Sequence, residues 1–192
     1  MKNLDKFYPS SRYHIFNHAV GNENLFRTDA NCAFFLDRFH LYLSPVCKVF
    51  AYCLMPNHFH FLVEIRDEDT ILKLVKAQKT EGFDYHRFIM QRLSNFLNCY
   101  SKSYNNRFVR RGALFIDYTK RIEIKDHLSI LIVAKYIHLN PIKHGFCERL
   151  NQWAFSSYLP TLYRKLPSII DQEFMEKYFE DREKFIEFHK EG

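Results

Sequence analysis

Hydrophobic and polar positions alternate with a period of two along residues 58–65 (HFHFLVEI). In an extended chain Phe59, Phe61, Val63 and Ile65 fall on one side, and His58, His60, Leu62 and Glu64 on the other. Residues 46–54 (VCKVFAYCL) are rich in β-formers and are separated from that run by the short break Met55-Pro56-Asn57, so the pair predicts an antiparallel hairpin. Upstream, residues 13–20 (YHIFNHAV) read as a strand of mixed polarity. A turn at Gly21-Asn22 and a helix from about Asp29 to Leu43, ended by Pro45, follow it. Helical spacing covers residues 68–104 with an interruption near Glu81-Gly82, and residues 113–119 (ALFIDYT) return to strand composition. The order βαββαβ predicts an α+β fold, a ferredoxin-like antiparallel sheet with helices on one face. Element order of this kind does not by itself specify a function.

Beyond the sheet, the segment DHLSILIVAKYIHLN begins at Asp126, a good N-cap, and is apolar almost all round. It predicts a largely buried helix that stops near Pro141, with Asn140 at its frayed end. Residues 153–158 (WAFSSY) read as a packing segment. The charged run 171–190 places Phe174, Tyr178, Phe185 and Phe188 at roughly helical intervals, predicting an amphipathic C-terminal helix. Residues 1–160 thus form one main domain and 161–192 a helical extension packed on it.

Composition narrows the class. Twenty Phe and 12 Tyr supply ample core material, and no repeat or low-complexity stretch suggests a modular chain. The five cysteines are odd in number and form no CxxC pair, so they read as reduced core residues rather than a zinc or redox motif. Neither a signal-peptide pattern nor a membrane-length apolar run occurs, which predicts a cytoplasmic protein with no membrane partner. A net charge of +6 suits a polyanion, since Lys and Arg on a nucleic acid release condensed counterions.

Three sets of residues could carry chemistry. His58 and His60 project from the same side of a strand about 7 Å apart at Cα, close enough to share one metal ion. Two ligands leave a coordination sphere incomplete, so a third protein group is required; the alternative, a pair of ordinary half-buried strand histidines, stays open on spacing alone. Tyr136 and Asn140, four apart, share one face of the helix that begins at Asp126. A tyrosine can attack phosphorus as phenolate, but with an ordinary pKa near 10 it needs a polarised phosphate or neighbouring cations, for which Lys135 and Lys143 are candidates. Spacing alone does not single Tyr136 out from the other tyrosines. Finally, Lys102, Arg107, Arg110, Arg111, Lys120 and Arg121 are interleaved with Tyr104, Phe108, Phe115 and Tyr118. Such a cluster can hold phosphates while its aromatics stack on unpaired bases.

The string YCLMPNHFHFLV (residues 52–63) resembles the His-hydrophobe-His block of the small tyrosine (HUH-type) insertion-sequence transposases, close to the REP-associated tyrosine transposases. Asn17–Phe26, Gly112–Phe115, Lys135–Pro141 and Trp153–Tyr158 resemble further blocks of that family in the same order, so the likeness spans roughly residues 8–160. The resemblance implies that His58 and His60 bind a divalent metal, Mg²⁺ or Mn²⁺, that Asn140 is a polar third ligand, and that Tyr136 is the catalytic nucleophile. Some relatives carry Gln near the Asn140 position. It further implies attack on a phosphate of single-stranded or hairpin DNA, a covalent 5′-phosphotyrosine link and a free 3′-OH that can reverse the reaction. A hairpin-binding module or repressor without catalysis is the competing reading. The sequence leaves open whether the chain moves itself or serves a domesticated role, and whether it acts as a monomer or homodimer.

Overall fold

The computed structural model describes residues 4–75, 81–163 and 168–190. Four strands, β1 (Arg12–His18), β2 (Cys47–Met55), β3 (His58–Ile65) and β4 (Lys120–Ile124), form an antiparallel sheet in the order β2-β3-β1-β4. Between them run α1 (Asp29–Tyr42), α2 (Glu68–Val75) and α3 (Tyr85–Arg107), so the expected βαββαβ order holds. Residues 76–80 of the long helical reading, and 164–167 and 191–192 of the C-terminal extension, lie outside the described residues.

Local chemistry explains where the helices start. Thr28 caps α1 in a reciprocal capping box with Asn31, and Asp84 accepts the Arg87 amide at the start of α3. Both helices bury apolar stripes against one face of the sheet, where Phe35 and Phe39 of α1 meet Phe59 and Phe61 and Phe96 of α3 packs on Phe35 and Phe39. Phe39 stacks on Phe61 at 4.2 Å between ring centroids and Phe35 packs on Phe96 at 4.7 Å. Each such side chain stabilises the fold by about 1.5–3 kcal/mol through burial, and a well-oriented ring pair adds about 0.5–1.5 kcal/mol.

The opposite face is covered by α4 (His127–Lys143), whose Ile130, Ala134 and Ile137 pack on Leu62 and on Phe50, Ala51, Cys53 and Met55 of β2. A register irregularity between Val49 and Ala51 sets Phe50 and Ala51 together toward this helix. The alternation in β3 is as expected: Phe59, Phe61, Val63 and Ile65 join the α1–α3 core and Leu62 the α4 core.

Both sheet edges are covered. Along β2, Leu54 donates its amide to Phe155 O at 2.9 Å, Ser157 donates to Tyr52 O at 2.9 Å, and Trp153 Nε1 donates to Leu54 O at 3.0 Å. Along β4, residues Leu4 and Asp5 run beside Arg121. A short α5 (Tyr158–Leu162) follows, and the expected C-terminal helix is two helices, α6 (Glu173–Tyr178) and α7 (Arg182–Lys190). Phe174 and Tyr178 pack on Phe50, and Phe185 on Tyr158.

Three expectations need correction. The last strand is not residues 113–119 but Lys120–Ile124. The earlier stretch makes only isolated bonds across the end of β1, such as Ile116 N to His18 O at 2.9 Å, and then turns at Tyr118, whose φ of +63° interrupts an extended chain. α4 is buried on one side only, with Leu128 61% and Ile132 53% exposed. It also runs through Pro141 to Lys143, so Asn140 is buried inside the last turn rather than at a frayed end. That turn is closed by Gly145, at φ +71°, whose amide donates to Ile142 O, and by Phe146, which donates to Pro141 O.

Candidate active site

The site lies where α4 crosses the polar side of β1 and β3. Antiparallel pairing sets Phe16 opposite His60 and His18 opposite His58, so His14, Phe16 and His18 of β1 stand on the same sheet face as His58 and His60 of β3. The rings form a contiguous group. His18 stacks on His58 at 4.6 Å between centroids, His14 lies 5.1 Å from His60, and His58 and His60 meet edge to face at 5.1 Å. From α4, the Tyr136 ring stands 5.6 Å from His60 and 6.0 Å from His14. At the C-cap of the same helix, His144 stands 5.2 Å from His58.

Tyr136 is 38% exposed, whereas His58 and His60 are 3% and 4% exposed. A solvent-reachable phenol therefore adjoins two buried imidazoles. Asn140, one turn further along α4, donates its amide Nδ2 to Tyr136 O at 2.8 Å, leaving Oδ1 as its remaining polar atom, and its side chain lies beside the His58 ring. The three residues proposed as ligands and the tyrosine are thus brought together.

Burial keeps these imidazoles neutral. It pushes His14 down to about 4, and it does the same to His58, with His18 and His144 adding repulsion. His60 is depressed further, to about 2, by burial and by its histidine neighbours. A neutral ring with a free nitrogen is the form that ligates a metal. His58 Nδ1 meets Asn57 Oδ1 at 2.7 Å and His60 Nδ1 meets His14 Nε2 at 3.0 Å, so in both rings Nδ1 is engaged and Nε2 is left for a ligand. Among the described residues no three His, Cys, Asp or Glu side chains gather into a metal-holding group. A third donor from this chain would be the Asn140 amide, which fits an open site of two nitrogens and one oxygen.

The rim is cationic. Lys143 Nζ lies 5.1 Å over the Tyr136 ring, and Lys120, at the start of β4, lies 5.6 Å over Phe16. Lys135 lies over Phe188 of α7 at 5.0 Å. The basic cluster divides. Lys102, Arg107, Arg111 and Lys120 are exposed, whereas Arg110 is engaged with Glu23, Asn105 and the Gly112 and Ala113 carbonyls. Arg121 is buried and donates to the Asp5, Thr119 and Leu4 carbonyls, so its guanidinium does not face solvent.

Sequence reasoning missed His14, His18 and His144. A signal for the first two was present, since His14, Phe16 and His18 alternate along one strand, but only the β1–β3 register shows that they face His58 and His60. His144 had no such signal.

No family model matches the chain. A Haemophilus influenzae protein assigned by name to the REP-associated tyrosine transposases is 22% identical over 137 residues, covering 69% of this chain and 73% of that protein. A solved structure of a REP-associated tyrosine transposase bound to a REP hairpin superimposes with a TM-score of 0.64 over 88% of this chain and 90% of that one, at 14% identity. The chain resembles the REP-associated tyrosine transposases. The structural likeness establishes the shared fold. No helix among the described residues is long and apolar enough to cross a membrane.

Proposed function

We propose that this protein is a metal-dependent transposase-like enzyme that cleaves and rejoins single-stranded DNA beside a hairpin, with Tyr136 as nucleophile and His58, His60 and Asn140 as ligands for Mg²⁺ or Mn²⁺. The observation that carries it is the half-open Tyr136, its ring centroid 5.6 Å from that of His60, beside two buried imidazoles whose Nδ1 atoms are both engaged. The relative in the solved structure is bound to a REP hairpin, which favours a hairpin substrate here.

In this reading the Tyr136 oxygen attacks phosphorus, the bond to the 3′-oxygen breaks, and a 5′-phosphotyrosine forms. The phenol gives up its proton, and the departing 3′-oxygen takes one up and becomes a 3′-OH. Attack by a 3′-OH on the phosphotyrosine reverses the step, so the phosphodiester energy is conserved in the covalent link. A divalent ion held by His58, His60 and Asn140 would supply Lewis-acid polarisation of the scissile phosphate. Lys143, over the phenol ring, and Lys120 with the exposed Lys102, Arg107 and Arg111 offer phosphate contacts.

Incubation with Mn²⁺ or Mg²⁺ and hairpin-bearing single strands from the flanks of its own gene is expected to give a denaturant-resistant protein–DNA adduct that Tyr136→Phe abolishes. Cleavage retained in Tyr136→Phe would indicate a nicking metallonuclease instead. Tight hairpin binding with no adduct in either metal would indicate a repressor-like binding module.

A further inference from the structure

His14 is 7% exposed on β1, and its Nε2 lies 3.0 Å from Nδ1 of His60. Two ring nitrogens at that separation hold one proton between them, so one ring donates and the other accepts. The two arrangements differ in what His60 offers. With the proton on His60 Nδ1, its Nε2 carries a lone pair; with the proton on His14 Nε2, a neutral His60 must be protonated at Nε2 and cannot ligate. The neighbouring ring shows how this strand solves the same problem. His58 Nδ1 faces Asn57 Oδ1 at 2.7 Å, and an amide oxygen only accepts, so His58 carries its proton on Nδ1 and presents Nε2 unprotonated.

We propose that His14 is a positioning residue: it accepts the hydrogen bond from His60 Nδ1 and holds His60 in the tautomer whose Nε2 lone pair faces the site, as Asn57 does for His58. The proposal rests on the reading of His58 and His60 as ligands. Packing suits His14 to the role, because its ring is stacked on Phe16 at 4.7 Å and fixed edge-on by Tyr136 at 6.0 Å, which restricts its rotation. The acceptor also comes from a partner strand rather than from the adjacent residue, so the β1–β3 register, with Phe16 opposite His60, is what delivers it. Metal-ligating histidines commonly have their second nitrogen held in this way, and the hydrogen bond fixes ring orientation and raises ligand basicity.

The metal-free protein decides the assignment. Long-range ¹H–¹⁵N correlation spectra of uniformly labelled wild type, with His60 identified by comparison with His60→Gln, are expected to show a protonated Nδ1 and an unprotonated Nε2 on His60. The reverse pattern overturns the proposal. As a second arm, Mn²⁺ titration by calorimetry is expected to show affinity about 10–100-fold weaker in His14→Phe, which keeps ring volume without an acceptor, and within about threefold of wild type in His14→Gln, whose amide oxygen can accept. Equal affinity in all three overturns the role. If wild type shows the expected tautomer but binds no Mn²⁺, and His58→Ala changes nothing, the ligand reading fails while the His14–His60 assignment stands. Should His14→Phe fail to fold, the wild-type spectra and His14→Gln still decide.

Discussion

Acid should destabilise the fold in part through one buried chain of hydrogen bonds that ties the C-terminal helix to β2. Tyr52 donates its amide to Ser157 Oγ at 2.8 Å, and Ser157 Oγ lies 2.8 Å from His138 Nε2. His138 Nδ1 lies 2.9 Å from His189 Nε2, and His189 Nδ1 lies 2.8 Å from Phe185 O. The chain starts at a group that only donates and ends at one that only accepts, so with both histidines neutral each proton between is assigned. Burial pushes His189 down to about 4 from an ordinary 6.5 and holds His138 well below its ordinary value. The folded state therefore refuses protons that the unfolded chain accepts. Stability is complete above pH 6.5, falls as pH drops below it, and levels off for His189 near pH 4. For His189 alone the loss between pH 7 and pH 5 is about 2 kcal/mol, rising to about 3 kcal/mol below pH 4. Other buried histidines titrate too, so the comparison is with His189→Gln, which can accept from His138 but has no proton to gain. Urea denaturation at pH 7 and pH 5 should show wild type losing about 2 kcal/mol more than the variant over that interval. Equal losses in the two proteins would refute the reasoning.

Arg121→Ala should lower unfolding free energy by about 2 kcal/mol, because three backbone carbonyls lose a charged donor, while leaving the salt dependence of hairpin binding unchanged. Lys120→Ala should do the opposite, weakening hairpin binding and reducing its log–log salt slope by about 1 in fluorescence titrations, with the thermal midpoint unchanged. Phe39→Ala removes a ring stacked on Phe61 in the α1–α3 core and should cost about 3–5 kcal/mol in urea unfolding. Asn140→Ala should weaken Mn²⁺ binding at least about tenfold by calorimetry, a result that an ordinary helix-end asparagine would not give.

The sheet was legible because strand alternation is a local signal. The run HFHFLVEI already separates the ring-bearing core face from the histidine face, and the structure keeps that division. Errors arose where tertiary contacts outweigh composition. Residues 113–119 are β-formers held across the end of β1, and the edge strand forms only after Tyr118, from the less apolar KRIEI. Pro141 suggested a helix stop, yet burial of Asn140 and Pro141 and the Gly145 cap carry α4 another turn, which moves Asn140 from solvent to the site. His58, His60, Tyr136 and Asn140 could be picked out through the family resemblance, whereas His14 and His18 depend on a strand register that no local pattern encodes.

The two faces of this sheet are built for opposite purposes. On the α1–α3 side, phenylalanines pack ring on ring and supply stability. On the α4 side, apolar packing occupies the half beneath Ile130, Ala134 and Ile137, and near Tyr136 it gives way to imidazoles. Burying uncharged imidazoles costs desolvation, which the fold offsets by engaging Nδ1 of both His58 and His60 with Asn57 and His14. The same burial that depresses their proton affinity leaves their Nε2 lone pairs available at neutral pH, and the lysines at the rim bring positive charge to where a phosphate would lie. A site of this kind gains its readiness for a cation and a polyanion from the feature that makes it sensitive to acid, so loss of metal affinity and loss of stability should both appear as pH falls, with the first governed by His58 and His60 and the second shared with His138 and His189.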